Sequence, residues 1–104
     1  MSQPELHVTR DVVVDMVRLA VEEVPGVLRL GSGGPGWRRA LGSAPVTVRM
    51  ASGRADARIV LIARPGHHLV GLAAQVRSAV AAALERLLGL EAGTVTVIVD
   101  GVGG

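Results

Sequence analysis

Between Ala55 and Val102 the spacing of apolar residues changes period twice, and this change restricts the possible folds more than any other feature of the 104-residue chain. Residues 55–63 begin with Asp56 and Arg58 turned outward and then become apolar on both faces, as in a strand that runs into a core. Leu69, Leu72, Ala73, Val76, Val80, Ala83, Leu84 and Leu87 then recur at intervals of three and four, the stripe of one helix face, and Gly89 stops it. Val95, Val97 and Val99 restore the alternation in a strand expected over 94–102. A strand, a helix and a strand in this order imply a parallel pair joined by a right-handed crossover.

The first half supplies the rest of the layers. Thr9 is a helix N-cap and Asp11 lies in the first turn, favourable to the helix dipole. Val12, Val13, Met16, Val17, Ala20, Val21 and Val24 follow on one face, with Asp15, Arg18, Glu22 and Glu23 on the other. Pro25-Gly26 ends this helix. Val27–Leu30 is a short strand, Val46, Val48 and Met50 alternate in another, and Ser52-Gly53-Arg54 turns a hairpin. Two amphipathic helices need a common apolar surface, which one sheet face provides. The expected architecture is therefore an α+β two-layer sandwich. Two helices pack on one face of a four-stranded mixed sheet, in the order α-β-β-β-α-β. A single domain spans 1–104, with a lead-in over 1–8, a flexible Gly-rich loop over 31–45 and a tail at 103–104.

The core has to be aliphatic. There is no Phe, Tyr or Cys, Trp37 is the one aromatic residue, and eighteen Val and twelve Leu carry the burial. Without cysteine there is no disulfide framework, thiolate zinc site or thiol nucleophile. The longest apolar runs fall far short of the roughly 20 residues that cross a bilayer. Pro4, Glu5 and His7 interrupt any apolar leader, so a cytoplasmic location is expected. All eleven basic residues are arginine, and the net charge is only +2. The sequence pI near 11.0 thus reports guanidinium pKa rather than a basic surface.

Several motifs invite a chemical reading. Gly31-x-Gly33-x-x-Gly36 matches the dinucleotide fingerprint, but Pro35 lies inside it and no long helix follows, so a glycine loop is the better description. His67-His68 point to different sides and have no acidic neighbour in sequence, which makes them a polar helix lead-in rather than metal ligands. Asp11 and Asp15, one turn apart, read as a solvated face. The most suggestive cluster is Trp37-Arg38-Arg39 in the long loop. An indole flanked by guanidiniums can anchor a protein interface, and these three are the candidate partner-binding residues. No catalytic, cofactor-binding or metal-binding set assembles.

Glu23-Val24-Pro25-Gly26-Val27 at the end of a Val-rich helix, Leu88-Gly89-Leu90, and Val95-x-Val97-x-Val99-x-Gly101-Val102 occur together at this separation. In these residues the chain resembles the alkaline shock protein / general stress protein family, an envelope stress response family, over roughly residues 8–102. The resemblance implies a non-enzymatic role in stress response and envelope homeostasis, exerted through protein–protein association, and membrane attachment through a separate anchoring partner. It brings no catalytic residues and no cofactor, and Pro25, Gly26, Gly89 and Gly101 correspond to structural positions in it. With a mean hydropathy of +0.45 in so small a chain, some apolar surface is expected to stay exposed at Val14, Leu19, Val60, Ile62 and Ile98, as in a homo-oligomer. The alternative is a small nucleic-acid-binding regulatory domain. Arginines scattered over the loop, hairpin and helices, without stacking aromatics, weigh against it.

Overall fold

The computed structural model describes residues 8–33 and 44–103. Along them run α1 (Arg10–Glu22), β1 (Val27–Leu30), β2 (Val46–Ala51), β3 (Arg54–Ala63), α2 (Leu69–Ala82) and β4 (Glu91–Val102), with a π turn over Ala83–Leu87 closing α2. This is the α+β order expected from the sequence.

Each helix starts on a side-chain cap. The Thr9 hydroxyl accepts the Val12 N–H at 3.4 Å, and His68 Nδ1 accepts the Gly71 N–H at 3.2 Å. The histidine pair therefore has a local structural role: His68 opens α2, while His67 lies against Gly26.

Strand β3 is the axis of the sheet. It pairs with β4 in parallel along its whole length, with β2 antiparallel over Arg54–Ile59, and with β1 antiparallel over Leu61–Ala63. Because β4 shares residues with both, β1 and β2 must lie end to end on the opposite edge. Val60 is the junction, donating its N–H to Pro45 O and accepting the Gly31 N–H on its carbonyl. The sheet is thus mixed, and the hairpin from β2 to β3 turns through Ser52 and Gly53, both at positive φ.

Helix α1 packs over β1 and β2, and α2 over β4. Val13, Val17 and Val21 of α1 and Leu72, Val76 and Val80 of α2 meet Val46, Val48, Ala55, Ala57, Ile59, Leu61, Ala63 and Val95 of the sheet in one cluster. Many of these valines are weak helix formers, so the packing rather than propensity holds α1.

Four details differ from the sequence reading. β4 begins at Glu91, three residues early, because Glu91 N–H bonds Gly53 O and Gly93 makes room for Asp56 to accept the Thr94 N–H at 2.8 Å. Gly103 still donates to Ala63 O, so pairing runs past the expected start of the tail. Val60 and Ile62 do face away from the helices, but they are only 9% and 5% exposed. Gly33, Gly101 and Gly103 lie against Ile62, and Leu28 lies against Gly103. Val14 is half-buried against the core rather than free.

Candidate functional site

The expected partner-binding residues Trp37, Arg38 and Arg39 lie outside the described residues. The approaches to that segment are placed. Gly31 has a φ of +125°, and the Gly33 N–H donates to the Asp100 carboxylate at 2.9 Å. The amide of the motif's second glycine is thus bonded to the protein's own aspartate.

A large cavity lies elsewhere among the described residues, between the two helices. It is an open groove of about 600 Å³. The half-buried Ala20, Ala79 and Ala82 and the buried Ala83 make its floor, because their side chains are too short to fill the space between α1 and α2. Leu19 and Leu87, 56% and 65% exposed, stand on its lips, and Met16 also lines it. Its charged side chains are Glu23 and Arg86. Gly26 follows α1 and packs against Leu72 near the start of α2, whereas Arg86 lies at the far end of α2, so these charges mark opposite ends of the groove.

The sequence pattern assigned Leu87 to the core stripe of α2. The π turn explains why it is not there. Each residue in that turn advances less around the axis than in an α-helix, so Leu84 stays buried while Leu87 is carried out to the groove. Leu19 was legible as an off-stripe residue. The groove itself was not, since it depends on two segments about 60 positions apart coming together.

A second, smaller cleft of about 300 Å³ lies beside β1, where Arg18, Arg29 and Arg64 converge with Glu22. These arginines are far apart in sequence and so read as scattered. Arg29 is partly engaged, donating to Ser32 O at 3.3 Å. Among the described residues no three His, Asp or Glu side chains come together as a metal site, and no helix is long and apolar enough to cross a membrane.

Comparison with known proteins agrees with this architecture. A family model for the alkaline shock protein 23 family, described as having a cell envelope-related function, matches residues 2–103. No curated protein matches the chain in sequence. Among solved structures, a copper form of a MamM CTD variant is similar with a TM-score of 0.56 at 18% identity, covering 89% of this chain and 98% of that one. A nickel form of another variant gives 0.55 at 19% identity, covering 88% and 96%. At such identities the likeness is one of fold alone.

Proposed function

Since this chain belongs to the alkaline shock protein 23 family, with its cell envelope-related function, we propose that it is a non-enzymatic scaffold of envelope homeostasis under stress, working by protein–protein association through the groove between α1 and α2. The observation that carries this reading is the groove: two large aliphatic side chains held in solvent over a floor of alanines, with charge only at its ends. Exposed apolar surface of this kind is retained where another protein covers it. In this reading the chain reaches the membrane through an anchoring partner and acts on no substrate.

Capture from host lysate tests the proposal, comparing the wild type with a Leu19→Asp, Leu87→Asp variant. Both side chains are already largely exposed, so the fold survives the change. Envelope proteins held by the wild type and lost by the variant are the expected result. Equal capture by both would sink it, and a parallel Trp37→Ala, Arg38→Ala, Arg39→Ala variant would then show whether the contact belongs to the loop. The arginine cleft favours one other reading, a small nucleic-acid-binding domain. That reading requires salt-dependent binding of a short duplex, lost in an Arg18→Ala, Arg64→Ala variant.

A further inference from the structure

We infer that the groove between α1 and α2 is a two-fold self-association face, and that its occupant is the same groove of a second copy of this chain. The inference rests on the proposed contact role of the groove and names its partner.

Three properties of the surface point to a copy of itself. The first is shape. Leu19 and Leu87 project from the lips, while Ala20, Ala79, Ala82 and Ala83 leave hollows beside them. Knobs and hollows on one surface fit each other when the surface is turned through 180° onto its own duplicate, as an isologous contact requires. The second is charge. Glu23 stands at one end of the groove and Arg86 at the other. A two-fold axis set across the groove brings each Glu23 to the partner copy's end that carries the arginine, so both ends pair and neither sign meets its like. An axis set along the groove would give a parallel placement with like charges together, so charge selects the antiparallel one. The third is the composition of the strip between the ends. Apart from Gln75 it is aliphatic, which matches the uncharged centre and polar rim of a stable interface. The π turn belongs to the device. It is the local change that takes Leu87 from the core and presents it, with Arg86, to the groove.

Charge exchange distinguishes this arrangement from any other use of the groove. The wild type is expected to sediment at twice the 10.7 kDa chain mass. Glu23→Arg alone, or Arg86→Glu alone, sets like charges face to face at both ends and is expected to weaken self-association by at least about tenfold. Mixing the two single variants restores opposite charges at both ends, so they should form a mixed dimer. The double variant Glu23→Arg, Arg86→Glu should pair with itself. Both side chains are exposed, and a basic residue at the C-terminal end of α1 suits the helix dipole, so Glu23→Arg keeps the fold.

A wild type that stays monomeric at about millimolar concentration overturns the inference, as do single variants that remain fully dimeric or fail to pair on mixing. These outcomes separate from those of the capture experiment. A monomeric chain whose envelope partners are lost on Leu19→Asp, Leu87→Asp substitution keeps the scaffold role and removes the dimer. A dimer obeying the charge rules, with capture unchanged, does the reverse.

Discussion

Gly26 stands where the end of α1, the start of β1 and the entry to α2 converge. A Cβ there would come within 2.7 Å of Leu72 Cδ1 and 3.0 Å of His67 Nδ1, and the glycine carbonyl accepts the Arg64 N–H. Its backbone is not in the left-handed region, so the requirement is for space rather than for a special conformation. Gly26→Ala is expected to cost about 1–3 kcal/mol through overpacking against Leu72. Urea denaturation measures it, and a variant as stable as the wild type would mean that Leu72 swings aside freely. Gly93 is constrained in the same way, because a Cβ would overlap the Asp56 carboxylate that accepts the Thr94 N–H. The Pro-Gly step was readable in the sequence as a helix stop. The contact that makes glycine necessary comes from 46 positions away, and local spacing carries no information about it.

The elements show where periodicity is a sufficient guide and where it fails. Leu84 and Leu87 sit three apart in one apolar stripe and look equivalent in the sequence. In the folded chain Leu84 is fully buried and Leu87 is on the groove. Leu84→Ala is therefore expected to lower stability by about 2–5 kcal/mol. Leu87→Ala should leave stability within about 0.5 kcal/mol, as for a surface change. Thermal unfolding of the two variants under dissociating dilution decides it, and similar losses would show that the helix closes without the wider turn. The fold class, the helix caps at Thr9 and the hairpin at Ser52-Gly53 were all legible, because each depends on neighbours in the chain. The early start of β4 was not. A glycine at position 93 looks like a break, yet it is where β4 bulges opposite Asp56. A second bulge, at Asp100 and Gly101 opposite Ile62, lies near the other end of β4. Between them the Arg77 guanidinium donates to Val95 O at 3.3 Å. These irregularities interrupt a long strand at the edge of the sheet, where unpaired backbone invites aggregation.

At the scale of the whole molecule, two helices and one sheet face were predictable from the amphipathic patterns. The contact face was only half so, since Leu19 was visible and its complement on α2 was not. Helical stripes give a side chain's angle about its own axis, and a groove needs the placement of one axis beside another. The arrangement of β1 and β2 in series along one edge of β3 has a further consequence. Gly31 and Pro45 are fixed to the same residue, Val60, so the ends of the intervening stretch are held side by side by the sheet itself. Nothing in the register of β1 or β2 depends on how many residues join them. Inserting fifteen Gly and Ser residues after Gly36, which doubles the stretch from 31 to 45, should cost only about 0.6 kcal/mol in closure entropy. A small shift in Tm would match this, and loss of cooperative unfolding would refute it. The first outcome would make the stretch a port for grafting, where a fluorophore or an affinity tag is carried without a change in the sheet's pairing.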